Sequence, residues 1–89
     1  MSKNSIFTSK SPRLDLHGEI ADIAEVLILE FLMDNYKEGN EFIAVIHGIG
    51  EGILKERTKE VLSKSNIVKN FYINPVNPGE TVIQLSLNN

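Results

Sequence analysis

Cysteine is absent from this chain of 89 residues, which excludes disulfide bonds and metal sites built on thiolates. No apolar segment reaches the ~18 residues that are needed to cross a bilayer. The first residues also lack the apolar centre of a secretory signal. We therefore expect a cytoplasmic location and no contact with a membrane.

Positive charge is scarce as well. Nine Lys and Arg residues stand against twelve Asp and Glu residues, so the formal net charge is −3. Proteins that hold nucleic acid through bulk charge usually carry a basic excess, because neutralised phosphates release counterions. Any contact with nucleic acid is therefore expected to be local, and the isolated domain is expected to bind weakly.

The remaining composition is that of one ordinary globular domain. Hydrophobic residues make up 42% of the chain and charged residues 24%, and these values disfavour disorder. The chain is too short to form two domains. We expect residues 1–12 to form a polar N-terminal arm and residues 13–89 to form the domain.

Hydrophobic periodicity predicts six elements of secondary structure. Leu14 and Leu16 alternate with Asp15 and His17, as in a half-buried strand. Strands are expected over residues 13–17, 42–46, 67–74 and 81–87, and helices over residues 19–38 and 53–64. With right-handed crossovers, the first three strands run parallel and the last runs antiparallel. The expected fold is an α/β protein of the α+β two-layer sandwich type, β-α-β-α-β-β, with a four-stranded mixed sheet and both helices on one face.

The first predicted helix carries two apolar stripes. One stripe is expected to face the sheet and consists of Ile20, Ala24, Leu27 and Phe31, with Ile23 and Ile28 at its margins. The other lies on nearly the opposite side and consists of Val26, Leu29, Met33 and Tyr36. This second stripe is either a surface for a protein partner or for self-association, or a site covered by the arm residues Ile6 and Phe7, or scattered exposed apolar surface.

Both histidines of the chain end an apolar strand, and each is followed by glycine at the entry to a helix. The two turns are His17-Gly18 and His47-Gly48. Ligands of parallel α/β sheets bind at the carboxyl ends of the strands, so the two histidines are expected to converge on one crevice. The alternative is that each is only a polar residue before a turn.

A glycine-rich loop, residues 47–52, opens the second predicted helix. Gly48, Gly50 and Gly52 let backbone amides approach a phosphate closely, and a helix N-terminus favours an anion. A structural tight turn is the alternative, and Glu51 argues against a simple anion hole. The spacing matches neither a dinucleotide fingerprint nor a P-loop.

Asp15 shares a strand face with His17 and precedes it by two residues. Its carboxylate is suited to orienting the imidazole or to holding a divalent cation. With His17 and His47 it resembles a set of two histidines and one carboxylate that binds metal. An ion pair with Arg13 or Lys10 is the structural alternative.

Two cations near the turns, Arg13 and Lys55, are candidates for binding phosphate. Lys55 shares its helix with Arg57 and Lys59, which are interleaved with glutamates. This pattern is also typical of an ordinary solvated helix face.

The motif of residues 14–18, LDLHG, and the later motif of residues 47–52, HGIGEG, together resemble the small MutS-related (Smr) domain family. The resemblance covers residues 13–87. It implies a fold like the C-terminal domain of bacterial translation initiation factor three, and nicking or cleavage of DNA or RNA. It assigns cleavage to Asp15 and His17, and substrate binding and activity to His47, Gly48, Gly50 and Gly52. Ile49 occupies a position that is often Lys or Arg in this family, which lowers the positive potential.

The sequence therefore predicts an endonuclease in which His17 acts as general acid or base and Asp15 orients it. His47 and nearby amides would hold the phosphate, and Gly18 belongs to the same predicted binding surface. A divalent metal, Mg²⁺ or Mn²⁺, at Asp15 is compatible with this hypothesis but not required by it. The first alternative is a non-catalytic nucleic-acid-binding or adaptor domain. The second is a binder of small phosphates or nucleotides.

Overall fold

A computed structural model describes residues 6–87 of the chain. Its elements are β1 (Arg13–Asp15), α1 (Ala21–Glu38), β2 (Phe42–Ile46), α2 (Ile53–Lys64), β3 (Val68–Ile73) and β4 (Glu80–Leu85). Residues 6–12, the described part of the predicted arm, precede β1 without forming a helix or strand. No helix within residues 6–87 is long and apolar enough to cross a membrane.

The four strands form one mixed sheet in the order β1-β2-β4-β3. β1 runs parallel to β2, whereas β4 runs antiparallel to both of its neighbours, β2 and β3. β1, β2 and β3 therefore share one direction, and β4 runs against them. The predicted fold class and strand directions are confirmed.

The register brings the carboxyl ends of β1 and β2 to one edge of the sheet, beside the start of β4. Asp15 lies opposite Ile46, and Ile46 lies opposite Glu80. The two His-Gly turns begin directly after this row. The sheet therefore places both turns next to the hairpin residues that lead into β4.

The core fills the space between the helices and one face of the sheet. Its fully buried side chains are Leu16, Ala24, Ile28, Leu32, Ile43, Val45, Val61, Leu62, Ile83 and Leu85. These residues come from strands and helices that are distant in sequence, so the core closes only when the whole sheet has formed.

The buried face of α1 differs from the predicted one. Ala24, Ile28 and Leu32 are buried at a spacing of four residues, which is one line along a helix. Ile20 and Ile23, which were expected near the sheet, are exposed. Ile20 cannot continue the buried line because its backbone is extended, and it forms the N-cap rather than the first turn. The prediction for these two residues was wrong.

Arg13 fastens the arm to the sheet. Its Nε donates to Oε2 of the buried Glu80 at 2.7 Å, and its Nη1 donates to the carbonyl oxygens of Thr8, Ser9 and Ser11. The guanidinium also lies 4.6 Å from the centre of the Phe7 ring, a distance at which a cation is attracted to an aromatic face. Arg13 is therefore tied into the structure of the arm.

This arrangement corrects two alternatives drawn from the sequence. Arg13 pairs with Glu80 and not with Asp15, and no ion pair joins Lys10 to Asp15 within residues 6–87. Phe7 lies on Arg13, and Val26 remains exposed on α1. Within the described residues, Ile6 and Phe7 therefore do not cover the second apolar stripe.

Candidate functional site

Asp15 and His17 form a tight turn at the carboxyl end of β1. Oδ1 of Asp15 accepts a hydrogen bond from the backbone N–H of His17 at 2.9 Å, and both residues are exposed. Asp15 therefore orients the backbone of the turn, whereas the prediction was that it would orient the imidazole. The His17 ring makes no hydrogen bond or ion pair within residues 6–87, so it is open to a ligand.

His47 is in the opposite situation, since its side chain is held on both sides. It is only 7% exposed. Nε2 lies 2.8 Å from Oγ1 of Thr81, and Nδ1 lies 3.0 Å from the carbonyl oxygen of Gly48. A carbonyl can only accept, so Nδ1 carries a hydrogen, and in the neutral ring Nε2 accepts from the Thr81 hydroxyl. His47 is arranged to hold the loop in place.

The glycine loop is also tied to the β3–β4 hairpin through its backbone. The N–H groups of His47 and Gly48 both donate to the carbonyl oxygen of Gly79, at 2.9 and 3.0 Å. The Gly48 amide, which was expected to hold phosphate, is therefore already used. The N–H groups of residues 49–52 make no hydrogen bond within residues 6–87, so the amides of Gly50 and Gly52 are among those left for a ligand.

A groove lies between the N-terminal ends of α1 and α2. Its volume is about 430 Å³, and its lining residues are Glu19, Ile20, Ala21, His47, Gly50, Glu51, Gly52, Ile53 and Leu54. Both helices begin there without a side-chain cap. The loops that follow the two histidines thus meet at one groove, but of the two histidines His47 lines it and His17 does not. The prediction that both histidines converge on one crevice was therefore wrong. Asp15 and His17 do not line the groove, because the strand pleat directs Asp15 away from the helices.

Carboxylates dominate the electrostatics of this groove. Glu19 and Glu51 line it directly. The nearby cation, Arg57 of α2, lies 3.0 Å from Asp22 and 3.1 Å from Glu25. The hydrogen bond to Asp22, together with the charges of Asp22 and Glu25, raises the pKa of Arg57 above its usual value. These acidic residues leave the groove poor in positive potential.

The predicted phosphate-binding cations lie elsewhere. Lys55 lines a second cavity, of about 280 Å³, on the β3 side of α2, together with Lys59, Phe71 and Thr81. Thr81 is also the partner of His47, so this cavity adjoins the anchor of the glycine loop. Arg13 is engaged by the arm, as described above.

The Smr domain family model matches residues 14–85, which is most of the chain. This chain belongs to the Smr family. It is 35% identical over 72 residues to "Endonuclease MutS2" of Geobacillus sp. (strain WCH70), covering 81% of the chain and 9% of that protein. It is 37% identical over 79 residues to "Endonuclease MutS2" of Aquifex aeolicus, covering 85% of the chain and 10% of that protein. The chain thus spans about a tenth of the length of these relatives.

Two solved structures share the fold of this Smr domain. The Smr domain of Thermus thermophilus MutS2 superposes with a TM-score of 0.81 at 26% identity, covering 83% of this chain and 96% of that one. YdaL, a stand-alone small MutS-related protein from Escherichia coli, gives a TM-score of 0.80 at 17% identity, covering 86% of this chain and 68% of that one. The similarity to YdaL, at 17% identity, shows only that the two proteins share a fold.

Two positioning residues of this Smr domain escaped the sequence analysis. Thr81 fixes the His47 ring, and Gly79 fixes the backbone of the glycine loop. Pro78-Gly79, just before β4, is a sequence signal for a turn, and a turn signal does not show that Gly79 anchors another loop. Their partners are some thirty residues away in the chain, and local patterns do not reveal such pairs.

The Smr domain offers few ligands for a metal ion. Residues 6–87 contain no group of three or more His, Cys, Asp or Glu side chains placed to bind one. Asp15 has one carboxylate oxygen beyond the one bonded to His17. A divalent cation at Asp15 would therefore take most of its ligands from water and from substrate phosphate, a mode that suits Mg²⁺.

We expect Gly79→Ala to loosen the glycine loop. A Cβ at Gly79 would lie 3.2 Å from the Cα of Gly48, and backbone cannot move aside as a flexible side chain can. The cost is expected to be about 1–3 kcal/mol, measured by urea unfolding. Gly50→Ala is the matched control, since a Cβ there meets nothing within 4 Å. Equal stability of the two variants would refute the anchoring role of Gly79.

Proposed function

We propose that this Smr domain cleaves phosphodiester bonds of DNA or RNA, with Asp15 and His17 as its reacting groups. The observation that carries the proposal is the exposed pair at the end of β1, held in a turn by a 2.9 Å hydrogen bond. The His17 ring has no partner within residues 6–87 that would keep it from a substrate. The curated relatives carry the name endonuclease.

His17 is the proposed general acid or base. When a water or a neighbouring hydroxyl attacks phosphorus, its proton passes to a base, and the departing oxygen takes a proton from an acid. An exposed imidazole at the end of a rigid strand can serve either step. Asp15 keeps the turn in shape through Oδ1. Its second oxygen makes no hydrogen bond within residues 6–87, and its negative charge is proposed to stabilise His17 when that ring takes up a proton.

The glycine loop is the proposed phosphate-binding element. The free amides of Gly50 and Gly52 and the uncapped start of α2 present donors to an anion. The His47 side chain is hydrogen-bonded to Thr81 and to the carbonyl oxygen of Gly48. We therefore propose that it positions the loop and transfers no proton itself. Gly18 belongs to the neighbouring turn. Of the two candidate cations, Arg13 is engaged by Glu80 and the arm, whereas Lys55 is exposed on α2.

Asp15→Asn gives a sharp test of this proposal. The asparagine oxygen can still accept the His17 N–H, so the turn is kept while the negative charge is lost. Labelled single-stranded RNA and supercoiled plasmid are incubated with wild type, Asp15→Asn and Asp15→Ala, each with Mg²⁺, Mn²⁺ or chelator. We expect wild type to cleave at least one substrate, and both variants to lose at least tenfold in rate.

The engaged His47 favours one other function, that of a non-catalytic nucleic-acid-binding or adaptor domain. Both His47 nitrogens are hydrogen-bonded, so this ring is not free for proton transfer, and Glu19 and Glu51 leave only weak, local binding of phosphate to the loop amides. Binding of either substrate without cleavage in any metal condition would select this function. The cytoplasmic location stays a prediction from the cysteine-free composition.

A further inference from the structure

The negative charge of the chain is concentrated on one helix. Residues 19–38 contain six carboxylates and one lysine, a formal charge of −5. Because the whole chain has a formal charge of −3, the remaining residues carry a net charge of +2. The acidity thus belongs to α1 and to the residues that lead into it.

The side of α1 that faces away from the sheet is also apolar. Five large side chains form this outer face, and each is between 44% and 67% exposed: Ile20, Ile23, Val26, Leu29 and Met33. The exposed carboxylates of Glu19, Asp22, Glu30 and Asp34 flank them. Tyr36, which was predicted to belong to this stripe, packs against the core and is not part of it.

A groove adjoins the α1 outer face. It lies between α1 and the C-terminal end of α2 and has a volume of about 390 Å³. Apolar residues, among them Leu29, Met33, Val61 and Ile67, line it together with the charged side chains of Glu25 and Lys64. Its size lies within the range that accepts a large side chain of a ligand or partner. The α1 outer face therefore combines an apolar stripe, a depression beside it and a negative rim.

We propose that the α1 outer face docks a basic amphipathic helix of another protein. A helix that lays its apolar side into a groove uses residues spaced by three and four positions, and Leu29 and Met33 present that spacing beside the groove. Lysines or arginines on the flanks of the partner helix would meet Glu30 and Asp34, whereas Asp22 is already paired with Arg57.

Charge disfavours the other occupants. Nucleic acid and anionic lipid are repelled by the charge of −5 over residues 19–38. A second copy of the chain would bring two such helices face to face. The described part of the arm, residues 6–12, is fastened to Arg13 at the sheet through Phe7 and the carbonyls of Thr8, Ser9 and Ser11. Of these occupants, a basic amphipathic partner is the one whose binding is favoured both by the apolar side chains and by the carboxylates of the α1 outer face.

This inference goes beyond the proposed cleavage. Asp15 and His17 lie at the end of β1 and take no part in the α1 outer face. The cleavage assay therefore tests the first proposal, and peptide binding tests the second independently.

Synthetic peptides of about 18 residues, some five helical turns, provide the probe. One is an amphipathic helix of leucine and lysine, the second replaces lysine by glutamate, and the third has the leucine–lysine composition in an order without an apolar stripe. Fluorescence anisotropy of the labelled peptides gives Kd for the full chain. We expect only the basic amphipathic peptide to bind, and its Kd to rise with salt.

Variants then locate the site. Val26→Ser combined with Met33→Ser is expected to raise Kd at least tenfold, and Glu30→Lys combined with Asp34→Lys at least fivefold. Val76→Ser is the matched control, because Val76 is 90% exposed in the hairpin between β3 and β4; its Kd should equal that of wild type. Amide chemical-shift mapping on the wild-type chain provides a readout that needs no variant, and the largest shifts should fall in residues 20–37.

Several results would overturn the proposal. They are the absence of binding by the basic peptide, equal binding of the scrambled or acidic peptide, unchanged affinity of the Val26→Ser, Met33→Ser double variant, and shifts confined to other elements. A dimeric mass in sedimentation equilibrium that this double variant converts to a monomer would assign the face to a second copy instead.

Discussion

Replacing His17 by alanine is expected to lower the rate of phosphodiester cleavage by about 10²–10⁴-fold, the usual contribution of one positioned proton-transfer group. The effect should be nearly pure loss of catalysis, because the ring is exposed and has no partner within residues 6–87. Single-turnover cleavage of labelled RNA and nicking of supercoiled plasmid measure the change.

Two controls separate chemistry from folding in this experiment. The melting temperature of His17→Ala should match that of wild type, since surface substitutions rarely change stability by more than about 0.5 kcal/mol. Added imidazole should restore part of the rate, because it supplies the missing acid or base. A cleavage rate unchanged from wild type would remove His17 from the reaction.

Ile83→Ala is expected to have the largest effect on stability, a loss of about 2–5 kcal/mol. Ile83 is fully buried in β4, between Ile43 of β2 and Phe71 of β3, so the surrounding residues have little freedom to fill the cavity. A domain of this size has roughly 4–13 kcal/mol of total stability. The substitution would therefore remove a large share of it.

Urea unfolding followed by circular dichroism measures this loss. Val76→Ala is the control, because the same kind of truncation at a side chain 90% exposed should cost less than about 0.5 kcal/mol. A loss below about 1 kcal/mol for Ile83→Ala would contradict the placement of Ile83 at the centre of the core.

The sequence was sufficient to predict the fold because its local signals agree with one another. Leu14 and Leu16 alternate with polar residues in β1, and residues 42–46 are apolar throughout, as in a buried strand. Gly39 stops α1 in the left-handed conformation that glycine adopts readily. The element order then leaves one arrangement with right-handed crossovers.

The orientation of α1 was harder to predict, because both sides of this helix are apolar. Periodicity identifies two stripes but not which of them meets the sheet. The side of α1 that is buried depends on which residues, such as Leu32 or Ile20, pack against strands that are far away in sequence. Leu32 is buried and Ile20 is exposed.

The sequence names the candidate site residues, but their geometry follows from it only in part. The motif marks Asp15, His17 and His47, yet it does not show that Asp15 bonds to a backbone N–H and that His47 bonds to Thr81. The pairs Arg13–Glu80 and His47–Thr81 join residues 67 and 34 positions apart. Tertiary structure creates such contacts, and no local spacing encodes them.

The distribution of charge reconciles a nucleic-acid function with an acidic chain. The net charge of −3 suggested weak binding, but residues 19–38 account for all of it. Lys55 and Lys59 lie on the β3 side of α2, away from the α1 outer face.

The most direct test of the account compares wild type with the Asp15→Ala, His17→Ala double variant, purified side by side. The measurement is the time course of cleavage of labelled single-stranded RNA and supercoiled plasmid. The account predicts that wild type cleaves at least one of these substrates, and that the folded double variant leaves both intact. Equal cleavage by the two proteins, or no cleavage by wild type in Mg²⁺, Mn²⁺ or chelator, would contradict it.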